Sequence, residues 1–192
     1  MGDDTLSGLG GADVLLGDKG DDSISGSTGN DTIDGGQMND YIRGGKDDDS
    51  ILGGDGVDTI YGDTGNDFID SGDHDDTVLG GDGNDTINGD SGQDVMTGGK
   101  DNDVIDGGTG HDTLKGESGN DVVNADDGND SLDGGDGDDT MDGGDGNDLM
   151  RGGKDNDVMT GGDGNDDLFG NTGDDSITGS AAIGALLTGN YS

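Results

Sequence analysis

An aliphatic or methionine side chain returns at every ninth position of this chain: Leu6, Leu15, Ile24, Ile33 and Ile42 open a column that runs to Leu168 and Ile177, with Leu186 beyond it. Phased on GGDGNDTIN at residues 80–88, each unit is six turn-forming residues followed by three with strand preference, such as TIN, FID and VMT, and the apolar residue is the eighth. In a strand the seventh and ninth side chains point away from the eighth. A three-residue strand cannot stand alone, but stacked on copies of itself it buries the eighth-place column and leaves its neighbours to water, which is the logic of a solenoid. Two units, strand–turn–strand–turn, make one coil of 18 residues. The pattern therefore predicts an all-β chain, a solenoid of about ten coils over residues 1–178, on the order of 48 Å long at ~4.8 Å per coil.

Composition changes this picture by showing that the roll cannot hold itself together. Asp and Glu number 47 against 7 Lys and Arg, a formal charge of −40, with 24% hydrophobic residues; such a chain does not bury enough apolar surface to fold unaided. Glu117 is the single glutamate, so nearly all the acid is Asp, a residue of turns and short-range chelation rather than helix interiors. The 47 glycines serve turns, since a nine-residue spacing excludes the three-residue period of collagen. With no cysteine there is neither a disulfide nor a thiolate metal site. The opening MGDDTLSGLG has no basic or apolar stretch of a cleavable signal, and no segment approaches the length of a membrane span. Charge of this sign repels nucleic acid and anionic lipid, so no nucleic-acid partner and no membrane insertion are expected, and cations are the natural partner.

The cation-binding chemistry has a fixed address. Asp occupies the sixth place twenty times in unbroken phase: Asp4, Asp13, Asp22, Asp31, Asp40, Asp49, Asp58, Asp67, Asp76, Asp85, Asp94, Asp103, Asp112, Asp121, Asp130, Asp139, Asp148, Asp157, Asp166 and Asp175. Place one is Gly except at Ser71 and Ala125, and place four is mostly Gly. The pattern G-G-x-G-x-D-x-U-x, intact in GGDGVDTIY at 53–61, GGDGDDTMD at 134–142 and GGDGNDLMR at 143–151, resembles the RTX nonapeptide repeats, which implies a calcium-binding, right-handed parallel β-roll of about ten coils.

That resemblance implies how metal is held. A Ca²⁺ ion would lie between one turn and the turn two repeats on, bound by both sixth-place Asp side chains, so that Asp85 pairs with Asp103 on one edge and Asp94 with Asp112 on the other. Carbonyls of places one and three from one turn and two and four from the other would complete about six oxygens, as a hard cation requires. The glycines implied in this cradle are Gly53, Gly54, Gly56, Gly80, Gly81, Gly83, Gly107, Gly108, Gly110, Gly134, Gly135, Gly137, Gly143, Gly144, Gly146, Gly161, Gly162 and Gly164. Twenty turns so paired give roughly 18 sites, whose charge would nearly cancel that of the chain. Place four departs from Gly at Met38, Asp47, His74, Asp101 and Asp155, and Met38 suits a left-handed backbone least.

Other chemistries find little support. His74 and His111 occupy different places of the repeat, 37 residues apart, so neither zinc binding nor catalysis is expected. One Glu cannot close EF-hand loops, and no nucleophile–base set stands out, so no enzyme is expected. GGK at 44–46, 98–100 and 152–154 recurs every 54 residues on one edge, which repeat duplication explains better than a charge ladder does. The two sheets differ outwardly, Arg43, Lys115 and Arg151 sharing a face with Tyr41, Tyr61 and Phe169, while Asp34, Asp70, Asp106 and Asp142 share the other with Val14, Leu52, Phe68, Val104, Val122 and Val158. Residues 179–192 leave the pattern, either as a cap or as the remnant of a secretion signal. The expectation is a calcium-binding extracellular structural protein, bacterial and exported by a type I route, that folds on Ca²⁺ and self-associates head to tail. The alternatives are a calcium-triggered folding module of a larger secreted toxin or hydrolase and, behind it, an ice-binding protein.

Overall fold

The computed structural model describes residues 2–179, and among them there are strands and turns but no helix. Two parallel sheets of ten strands each enclose the core. The first is built from Thr5–Ser7, Ser23–Thr28, Tyr41–Lys46, Thr59–Thr64, Thr77–Asp82, Val95–Lys100, Thr113–Ser118, Ser131–Asp136, Leu149–Lys154 and Asp167–Thr172. The second is built from Val14–Leu16, Thr32–Gln37, Ser50–Asp55, Phe68–Asp73, Thr86–Asn88, Val104–Asp106, Val122–Asn124, Thr140–Asp142, Val158–Thr160 and Ser176–Thr178. Successive strands of a sheet are paired at an offset of 18 residues, as in Ile87 with Ile105 and Met96 with Leu114. The chain is thus a β-solenoid of ten coils, two nonapeptides to a coil. The tail expected to act as a cap or export remnant lies, apart from Gly179, outside the described residues.

The eighth-place residues from Ile24 to Leu168 are 0–2% exposed and form one continuous cluster, with Leu6, Leu15 and Ile177 partly buried at its ends. Isoleucine dominates the first half, where a β-branched side chain packs well on a pleated surface. Met96, Met141, Met150 and Met159 fill the same column later on, the unbranched thioether adapting to the identical space.

One expectation is corrected. The strands are not confined to three residues per unit: nine of the ten in the first sheet run six residues, through places one to three. Gly99 pairs with Gly81 and Lys100 with Asp82, for example. Once coils stack at a fixed offset, the amides and carbonyls of places one to three face those of the next coil, and ladder bonds are their available internal partners. In the first sheet half of the presumed turn is therefore sheet, whereas seven of the ten strands of the second sheet keep the expected three residues.

Candidate metal centre

The turns carry the chemistry because place one brings the chain close to the coil that follows. A β-carbon at Gly143 would lie 2.6 Å from Asp148 Oδ2 and 2.7 Å from the carbonyl oxygen of Gly161, and one at Gly35 would lie 2.6 Å from both Asp40 Oδ2 and the Gly53 carbonyl oxygen. Glycine at place one thus keeps open a cradle into which a carboxylate oxygen and a main-chain carbonyl oxygen converge. Places two and four are held by backbone conformation: φ is +124° at Gly81 and +132° at Gly83, a region natural to glycine. Place two is left-handed even where the residue is not glycine, at Leu9, Asp18, Ser27, Asp63, Asp90, Glu117, Asp126 and Asn171, and place four likewise at Met38, Asp47, His74, Asp101 and Asp155. Leu9, at φ +71°, departs from the motif as much as Met38 does at φ +78°.

The sixth-place carboxylates line both edges. Seventeen of them, Asp22 through Asp166, are 1–3% exposed, while Asp13 and Asp175 are half-buried and Asp4 is exposed. Their two oxygens have different fates. Oδ1 accepts the main-chain N–H of the sixth-place Asp one coil earlier: Asp67 N–H donates to Asp85 Oδ1, Asp85 N–H to Asp103 Oδ1 and Asp94 N–H to Asp112 Oδ1, each at 2.8 Å. Oδ2 accepts nothing and is buried, in all nineteen residues from Asp13 to Asp175. The pairs expected from the repeat, Asp85 with Asp103 and Asp94 with Asp112, do come together, linked through one oxygen each with the other left over.

Leaving a buried carboxylate oxygen without a partner is expensive. Burial accordingly pushes the Asp76 carboxyl up to about 8, those of Asp49, Asp94, Asp103 and Asp139 to about 7, and those of Asp40, Asp67, Asp85, Asp130, Asp148 and Asp157 to about 6. The main-chain N–H bond opposes that rise at each of them. Rows of buried anionic oxygens beside main-chain carbonyls form a donor set for a hard, oxygen-seeking cation. No three Asp, Glu, His or Cys side chains converge among the described residues, so ligation at these turns has to combine carboxylates with main-chain carbonyls.

Comparison with known families places this geometry. The model of the RTX calcium-binding nonapeptide repeat, four copies at a time, matches residues 1–33, 34–69, 70–105, 97–132, 106–141, 124–159 and 142–177. The chain belongs to the RTX calcium-binding nonapeptide-repeat family. Its solenoid is therefore a calcium-binding RTX β-roll, the resident cation of the family being the one that the orphaned Oδ2 row suits. No curated protein matches the chain. Among solved structures it is similar to a hyperactive, Ca²⁺-dependent, β-helical antifreeze protein from an Antarctic bacterium, at 23% identity over 94% of this chain and 81% of that one, with a TM-score of 0.37.

Three features of the RTX roll escape a reading of the motif. First, place five builds a second ladder. Asn84 N–H donates to Asn66 Oδ1 at 2.9 Å, Asn102 N–H to Asn84 Oδ1 at 3.0 Å and Asn120 N–H to Asn102 Oδ1 at 2.7 Å. It runs in the sense opposite to the sixth-place ladder, and the recurrence of Asn and Asp at place five was its signal. His111 sits in it, Nδ1 accepting the Asn129 N–H at 2.8 Å, while His74 Nδ1 contacts the Asp73 carbonyl at 2.7 Å. Second, Ser71 at place one turns its hydroxyl to the carbonyls of Asn88 and Gly89, 3.3 Å from each, so it occupies a place-one carbonyl of the following coil. Third, the recurrent Lys is not a uniform charge ladder. Lys100 pairs with Asp82 and Lys154 with Asp136, both at 2.6 Å, whereas Lys46 stands between Thr28 and Thr64. Exposed pairs of this kind contribute little to stability.

Proposed function

We propose that this RTX roll is an extracellular structural protein whose fold is switched on by calcium. The single observation that carries the reading is the row of nineteen buried Oδ2 atoms with no hydrogen-bond donor. Sixth-place Asp carboxylates of successive coils, with the carbonyls of places one to four, would hold the ions, up to roughly 18 of them on the turn count of the sequence. The ion supplies positive charge where the folded chain concentrates negative charge. The residues supply the rest: Oδ1 fixes each carboxylate to the preceding coil, place-one glycine leaves the cradle open, and the aliphatic column sets the spacing of the turns. Below the calcium level of the sites, mutual repulsion of the 47 acids keeps the chain expanded. Export from a low-calcium cytosol into a calcium-containing medium would then convert an unfolded chain into a roll.

X-ray scattering tests this directly. In chelator the radius of gyration should be about 47 Å, that of an unfolded chain of this length, and in calcium about 16 Å, that of a rod some 48 Å long. A radius that is the same in both would remove the switch. A second reading, head-to-tail stacking of copies, is favoured by the outer edges of Thr5–Ser7 and Val14–Leu16, which have one paired neighbour each among the described residues. Open strand edges template the addition of another chain. A folding module within a larger secreted protein would use the same calcium switch without the stacking.

A further inference from the structure

We propose that the two outer faces of the roll bind each other, so that calcium-folded copies stack face to face in an open, alternating array. The partner is a second copy of this chain, recognised through the register of its charges. Counting coils from Thr5–Ser7 with Val14–Leu16 as the first, the ninth-place positions of the first sheet carry Arg43 in coil three, Lys115 in coil seven and Arg151 in coil nine. Those of the second sheet carry Asp34, Asp70, Asp106 and Asp142 in coils two, four, six and eight. Lys115 and Arg151 are exposed and make no ion pair within the described residues. Arg43 is bound to Asp63 and lies 5.8 Å from the Tyr61 ring centroid, yet half its side chain remains exposed.

The strands of the two sheets run in opposite senses around the coil. Ninth place therefore meets ninth place only when one copy is turned end for end on the other. With all ten described coils overlapped, each coil faces the one whose number brings the sum to eleven. Arg43 then meets Asp142, Lys115 meets Asp70 and Arg151 meets Asp34, and no like charges meet in this row: Asp133 faces Leu52 and Asp106 faces Leu79. A slip of one coil in either direction loses all three pairs at once, because the Asp row has a two-coil period. The adjoining seventh-place row supplies the apolar contact, Val122 and Val104 coming over Thr59 and Thr77, and both valines are exposed on the free roll. The face is about 48 Å by 10 Å, so two copies bury on the order of 1,000 Å², the low end of specific interfaces. The contact joins unlike faces and does not close, so it propagates.

The inference rests on the calcium-folded roll, since neutralised turns are needed before two such acidic molecules approach. Its test uses two triple charge reversals in excess calcium, Arg43→Glu/Lys115→Glu/Arg151→Glu and Asp34→Lys/Asp70→Lys/Asp142→Lys, with circular dichroism on each sample and sedimentation velocity across a protein dilution series. The parent should form particles of at least roughly twice the monomer mass that dissociate as salt rises. Each variant alone should stay monomeric, and an equimolar mixture should associate again, because reversed faces complement each other. A parent that is folded in calcium but monomeric overturns the face contact and leaves the calcium switch standing. Variants that associate as the parent does also overturn it, by assigning assembly to the roll ends. A parent with no calcium-induced β signal overturns both.

Discussion

At the residue scale the decisive feature is the division of labour within one carboxylate. Asp94 Oδ1 accepts the Asp76 N–H at 2.7 Å while Asp94 Oδ2 is buried without a donor. Asp94→Asn keeps the first function and removes the charge from the second. With calcium this variant should bind about one or two fewer ions than the parent, by the number of sites one turn serves. Isothermal titration measures the stoichiometry, and an unchanged value would strike Asp94 from the ligand set. Ser71→Gly should act the other way, freeing the Gly89 carbonyl from a hydroxyl 3.3 Å away and lowering the calcium midpoint, which a titration monitored by ellipticity would show.

The same carboxylates fix the sign of the pH response. Burial raises the pKa of Asp76 to about 8 and of Asp49, Asp94, Asp103 and Asp139 to about 7, from 3.8. A carboxyl whose folded pKa lies above its unfolded value stabilises the fold below the unfolded pKa, and that stability is lost as pH rises through the folded one. The metal-free roll should therefore gain β structure on acidification from pH 8 towards 4, where protons take over the neutralising role of the cation. A metal-free pH titration followed by far-ultraviolet circular dichroism checks this; β content that falls on acidification would contradict the assignment of buried, raised carboxyls.

At the element scale, what holds one coil to the next is two opposed ladders on each edge and an apolar column between them. The column was legible from the nine-residue return of Leu, Ile, Val and Met, and the row of sixth-place carboxylates from an Asp that never misses, but not the Oδ1 bonds that tie each to the preceding coil. The place-five ladder was not, because Asn, Asp and His all serve as its acceptors, so no single residue type marks it. Strand length was hidden for a related reason: glycine reads locally as turn, yet Gly81 and Gly99 pair within the sheet because the coils are in register. These origins predict different costs. Ile87→Asp places an unpaired charge in a column position that is 1% exposed and should cost about 4–5 kcal/mol or more. Asn84→Ala removes one acceptor at the surface, from the Asn102 N–H, and should cost about 1 kcal/mol or less while leaving calcium stoichiometry intact. Denaturant melts in saturating calcium separate the two, and a place-five variant as damaging as the core variant would make that ladder the principal support of the roll.

At the scale of the whole molecule the roll is quasi-one-dimensional, each coil touching its neighbours alone, so stability is set by whether the turns can be brought together repeatedly. A column of one aliphatic residue per nonapeptide stands against a formal charge of −40, and on the proposed reading the cation is part of the fold rather than an addition to it. Calcium and the β-roll should therefore appear together. Far-ultraviolet circular dichroism during a calcium titration of the chelated chain, repeated with magnesium, tests this most directly. A cooperative passage from a disordered to a β spectrum is expected near the roughly millimolar range of extracellular calcium sites, with no response to magnesium, which demands a smaller and more rigid octahedron. A β spectrum that persists in excess chelator, or that magnesium induces equally well, would contradict the account.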